Sequence, residues 1–157
     1  MPAAILTIGY EGAGLDDVLA ALDEAGARTL IDVREAPVSR KPGFSKGALG
    51  RAMEEAGIAY VHLRALSTPK VGRDAARAGR HREFEDIYAR RLSTPEAEAA
   101  LAAAALMARD EGPACLLYFE RESERCHRAI VAARLAARLA ARLGCPVTHL
   151  GAIPTLL

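Results

Sequence analysis

Two hydrophobic patterns take turns along this chain of 157 residues. Largely apolar runs fall at residues 3–9, 29–33 and 114–119; the first and third read as buried strands, and the second ends in Asp32-Val33-Arg34. Residues 58–63 alternate in part, and residues 146–150 form a last short run. Between these runs the apolar positions recur at helical spacing. Leu15, Val18, Leu19 and Leu22 share one face, with Asp16, Asp17, Asp23 and Glu24 opposite and Gly26 as the stop. Ser45 reads as the N-cap of a helix over residues 46–56, ended by Gly57. Phe84, Ile87, Tyr88 and Leu92 mark another helix face. Thr94 as N-cap and Pro95 in the first turn open an Ala-rich helix that runs to about Arg109. Ser123 predicts the cap of a final helix from Glu124, ended by Gly144.

Strands separated by helices predict a three-layer α/β/α fold, Rossmann-like, with a mostly parallel sheet of about five strands and right-handed crossovers. The length fits one domain over residues 1–157. Two stretches interrupt the pattern. Residues 34–46 contain Pro37, Pro42 and Gly43 and read as a long basic loop. Residues 64–82 contain Pro69, Gly72, Gly79, Lys70 and five arginines, which predicts a basic irregular segment, a mobile flap or an insertion.

Composition narrows the picture. The formal net charge of +1 excludes a global basic field for nucleic acid, though not a local one. No apolar stretch is long enough to span a bilayer, and the N-terminus lacks the basic region of a signal peptide, so no membrane partner is expected. Three cysteines match no zinc spacing. A reduced, cytoplasmic protein is the expectation. Asn and Gln are absent, which suggests a heat-adapted source, although the many Ala and Arg residues would also suit a GC-rich genome. A homodimer is compatible with all of this.

Ligands of such sheets bind beyond the carboxyl ends of the strands. There the chain places Tyr10 and Glu11, Asp32 and Arg34, His62, Glu120 with the turn containing Cys126, His127 and Arg128, and His149. That turn opens the last helix. Its free N–H groups and partial positive charge suit an anion. A cysteine there, beside an arginine, favours the thiolate, yet three adjacent residues cannot all face one point. The plainer alternative is a packed Cys126 and a solvated Arg128. Asp32 and Arg34 share a strand face, either as a substrate-binding pair or as an ion pair closing the sheet edge. In the loop, Ser39, Arg40, Phe44, Ser45 and Lys46 could meet phosphates and stack on a base, or Phe44 could fold onto the core. Glu11, in a glycine-flanked turn, offers a general acid or base. G-Y-E-G lacks the spacing of a dinucleotide fingerprint. No metal ligand set is imposed by spacing; a divalent metal remains compatible with the carboxylates, and no cofactor motif is present.

Taken together, T-I-G-Y-E-G, D-V-R-x-x-P-x-S-R-x-x-G-F-S-K, G-I-x-Y-x-H-L and F-E-x-x-x-x-x-C-H-R resemble the domain of unknown function 488 family. The motifs occur at residues 7–12, 32–46, 57–63, 67–70 and 115–128, in family order. The resemblance implies a small prokaryotic cytoplasmic α/β domain and supplies no activity. It carries over onto Asp32, Arg34, Ser39, Arg40, Glu120, Cys126, His127 and Arg128 as motif positions. Relatives often carry a cysteine where this chain has Tyr118, which weighs against redox or metal chemistry at that place.

The expected function is a hydrolase-type enzyme on a phosphate-bearing substrate, a nucleotide or nucleic acid. Arg34, Arg40 and Arg128 would hold the anion. Asp32, Glu11 or Glu120 would act as base or metal ligand, with His127 as acid or orienter. The same pocket without turnover would make a binding module. Cys126 as nucleophile would make a thiol enzyme.

Overall fold

The computed structural model describes residues 4–119, 144 and 146–151. Three strands are buried at every position: β1 (Ile5–Gly9), β2 (Thr29–Asp32) and β4 (Ala114–Tyr118). They occupy the middle of a five-stranded sheet ordered β3-β2-β4-β1-β5. The edges are β3 (Ala59–His62) and β5 (Val147–Gly151), neither with a fully buried residue. Every pairing is parallel. The largely apolar runs are thus the central strands and the partly alternating run is an edge, as burial on two faces or one demands.

Helices cover both faces, so the fold is three-layered. Alternate strand residues point to opposite sides. Leu6, Ile8, Leu30, Cys115 and Leu117 pack with α1 (Leu15–Glu24) and α2 (Lys46–Glu55). Ile5, Ile31, Ala114, Leu116 and Tyr118 pack against α3 (Lys70–Arg77), α4 (His81–Leu92) and α5 (Pro95–Asp110). Thr94 caps α5 by accepting from the Ala97 N–H at 3.2 Å, with Pro95 at the first helical position. The helix expected over residues 124–143, with Ser123 as its cap, lies outside the described residues.

Strand order is a detail that the pattern leaves open, and one expectation needs correction. The β1–α1–β2 unit is parallel, but β1 and β2 are not neighbours. β4 is inserted between them and bonds to both, so the strand order differs from the Rossmann 3-2-1-4-5 pattern. The correction concerns residues 64–82, which are not irregular. They form a short 3-10 helix, Arg64–Leu66, then α3 and the start of α4. The residues taken for helix breakers have other roles. Pro69 is the N-cap of α3. Gly72 sits where a Cβ would come within 2.8 Å of the Thr68 side chain and 3.3 Å of Ile87, so its absence lets α3 approach α4. Gly79 closes the turn between the helices with φ +78°, a conformation natural to glycine. Leu66, Ala75, Phe84 and Tyr88 anchor the segment in the core, while its cations point outward.

Candidate functional site

Strand register brings the polar residues at the carboxyl edge together. Asp32 of β2 lies beside His62 of β3, and Leu30 beside Tyr60. Asp32, Tyr60 and His62 therefore project to the face that carries α1 and α2. The Asp32 carboxylate is fully buried. Its Oδ1 accepts from the Arg34 backbone N–H at 3.1 Å and from Arg34 Nε at 2.9 Å. Its Oδ2 accepts from Arg34 Nη2 at 2.7 Å and from the Tyr60 hydroxyl at 2.6 Å. An ionised carboxylate offers about four lone-pair sites, and all are taken.

Arg34 is 9% exposed and equally committed. Beyond the forked pair with Asp32, its Nη1 donates to the Tyr10 hydroxyl at 3.1 Å and to the Phe44 carbonyl at 2.7 Å. Burial pulls the pKa of this guanidinium down, but the hydrogen bonds and charge of Asp32 outweigh it and the net shift is upward. Tyr10 is buried and stacks on Phe44 with ring centroids 4.3 Å apart. The loop after β2 is thus fastened to the loop after β1. Lys41 Nζ adds donations to the carbonyls of Tyr10 and Ala13, at 3.2 and 2.6 Å. Glu35 ties the same loop to α3 through Arg73 at 2.6 Å.

This geometry corrects several expected roles. Arg34 is not an open anion clamp, because four of its N–H contacts are internal. Asp32 has no lone pair left for a base or a metal. Phe44 is 0% exposed and cannot stack on a base; it belongs to the core. Tyr10 is likewise inward. Ser45 stands at the N-cap of α2 without capping it: its hydroxyl donates to the Ser39 carbonyl at 3.2 Å and accepts from the Ser39 N–H at 3.1 Å. Ser39 Oγ in turn accepts from the Lys41 N–H at 3.1 Å. The two serines knit the loop and do not face a ligand.

Glu11, Arg40 and Lys46 are exposed. Lys46 borders an open groove of about 660 Å³ together with Gly47, Gly50, Arg51 and Tyr60. His62 is half-buried, and its Nε2 lies 2.6 Å from the Arg34 carbonyl. A carbonyl only accepts, so Nε2 carries a proton, and in the neutral form of the ring the lone pair is on Nδ1. Nδ1 has no partner among the described residues. Glu120, Cys126, His127 and Arg128 lie outside the described residues. Among the described residues no three His, Cys, Asp or Glu side chains gather to hold a metal ion. No described helix is long and apolar enough to cross a membrane.

Tyr60 and Lys41 were not singled out from the sequence. Tyr60 carried a usable signal: it is two residues before His62, hence on the same strand face. Burial first, and then the bond to Asp32, raise its pKa above the ordinary value. A folded-state pKa that is raised gives stability that is complete below the unfolded value, about 10, and is lost as pH climbs through the folded one. Tyr60→Phe should cost about 1.5–3 kcal/mol at neutral pH, the worth of a hydrogen bond to a charged group. The gap between the two proteins should narrow above pH of about 10, because only the tyrosine can ionise in the unfolded chain. Urea midpoints from neutral to alkaline pH measure this; a constant gap would contradict the linkage.

The family model described as domain of unknown function DUF488 matches residues 14–135. No curated protein and no solved structure matches the chain. The matched span contains Asp32, Arg34, Ser39, Arg40, His62 and Cys126 to Arg128 alike, and it covers most of the sequence. The buried Asp32–Arg34 pair and the loop that it holds are therefore the framework, in this chain, of a protein that belongs to the DUF488 domain family.

Proposed function

We propose that the protein is a hydrolase-type enzyme acting on a phosphate-bearing substrate, a nucleotide or nucleic acid, at the carboxyl edge of the sheet. The observation that carries this reading is the state of His62. One ring nitrogen is fixed by the Arg34 carbonyl and the other has no partner among the described residues. A half-buried imidazole, oriented through one nitrogen and unpartnered at the other among the described residues, suits a general base toward water. Asp32 and Arg34 act as positioning residues, since Arg34 supplies the carbonyl that orients the ring. The exposed cations Arg40 and Lys46 provide charge for an anionic substrate. His127 and Arg128 keep the roles that the sequence suggests for them, as acid and anion ligand.

The test uses the full chain with a panel of nucleoside phosphates and oligonucleotides, with and without divalent metal. His62→Gln retains an amide N–H for the Arg34 carbonyl and removes the basic nitrogen. Turnover should fall about a hundredfold while substrate binding persists, as expected for a lost general base. Binding without product in the unaltered protein would favour a binding module instead. Unchanged turnover in His62→Gln would remove His62 from the chemistry.

A further inference from the structure

Charge is unevenly distributed along the chain. Residues 64–91 hold eight Arg and Lys against four Asp and Glu, whereas the whole sequence holds 21 against 20. The segment is the α3–α4 hairpin with its 3-10 lead-in, built onto the core and adjoining the rim through Glu35. Within α3 the cations are sorted by face. Gly72 and Ala75 are buried. Lys70, Arg73 and Arg77 recur at spacings of three and four on the opposite side, where helix geometry places them in one stripe. Lys70 bonds Asp74 at 2.9 Å and Arg73 bonds Glu35 at 2.6 Å, while Arg77 makes no hydrogen bond or close ion pair among the described residues, although its charge acts on Asp74. Arg64 continues the stripe toward the rim, 3.7 Å from Glu35 and largely exposed.

From Lys70 to Arg77 the stripe spans roughly 10 Å at the helical rise. That is about three nucleotides of a strand rising 3.4 Å each. The only large exposed apolar side chain of the hairpin is Val71, too little for anchorage in a lipid surface. We infer that the outer face of α3, with Arg64, is a docking surface for the phosphate backbone of a nucleic-acid strand. This rests on the reading of a phosphate-bearing substrate and narrows it: the substrate is a polymer, held on the hairpin while its reacting phosphate lies at the rim.

The test compares the unaltered chain with Arg64→Ala/Lys70→Ala/Arg77→Ala by fluorescence anisotropy. The probes are labelled single-stranded and duplex DNA of about 20 nucleotides over a range of salt. Alanine favours an exposed helix, and a thermal melt checks that the variant folds. The variant should bind either DNA at least about tenfold more weakly, with a shallower dependence on salt, as expected from lost phosphate contacts. Binding of a nucleoside monophosphate should not change. Equal DNA affinity and salt slope in the two proteins would overturn the proposal. So would binding to phosphatidylserine vesicles with none to DNA. Hydrolysis of nucleotides without DNA binding would remove the docking surface and leave the enzyme reading intact. Salt-dependent DNA binding that the variant loses, with no turnover of any substrate, would do the reverse.

Discussion

Arg34→Met is expected to lower the unfolding free energy by about 3–5 kcal/mol, the usual cost of removing one partner from a buried ion pair. The loss comes mostly from what is left behind. Asp32 would remain fully buried with the Tyr60 hydroxyl as its only side-chain partner among the described residues. The Tyr10 hydroxyl and the Phe44 carbonyl would each lose a donor. Arg34→Lys should recover little, because an ammonium cannot present the fork that meets both carboxylate oxygens. Asp32→Leu combined with Arg34→Met should cost less than the sum of the single changes, since no unpaired charge stays buried. Urea denaturation followed by circular dichroism measures these three variants, Asp32→Leu alone and the unaltered chain. A loss below about 1 kcal/mol for Arg34→Met, together with weakened anion binding, would mean that the arginine faces a ligand and not the core.

The same pair shows which parts of the site could be read in advance. Position along a strand was legible. Parallel strands gather their carboxyl ends on one edge, so Tyr10, Asp32, Arg34 and His62 were expected to meet, and they do. Direction was not legible. A carboxylate and a guanidinium two residues apart look the same in sequence whether they turn to solvent or to each other. Elements were legible where chemistry is local, as in Thr94 and Pro95 opening α5, or Gly26 and Gly57 following α1 and α2 with φ of +71° and +76°. Strand order was not, because Ala114–Tyr118 is as uniformly apolar as its neighbours and carries no mark of which pair it separates. The hairpin at 64–82 was misread because glycine and proline are locally ambiguous. The contact of Gly72 with Thr68 and Ile87 exists only once α3 and α4 pack.

Phe44 extends that lesson to the aromatic of the basic loop. Set among Gly43, Ser45 and Lys46, it suggested a stacking platform, yet its ring is fully buried. Phe44→Ala should destabilise the protein by about 3–5 kcal/mol, the range for emptying a large aromatic site in a core. Part of that loss is specific to the stack on Tyr10, where the rings are 10° from parallel; such pairs contribute about 0.5–1.5 kcal/mol beyond burial. Part follows from the backbone, because the Phe44 carbonyl accepts from Arg34 and a loosened loop would weaken the ion pair as well. Phe44→Leu keeps most of the volume and should cost less than about 2 kcal/mol. The two variants separate packing from recognition. If the ring were a platform for a base, both changes would weaken binding to single-stranded oligonucleotide and leave the urea midpoint unmoved. A graded loss of stability, larger for alanine than for leucine, is the outcome required of a residue that holds the loop against the sheet.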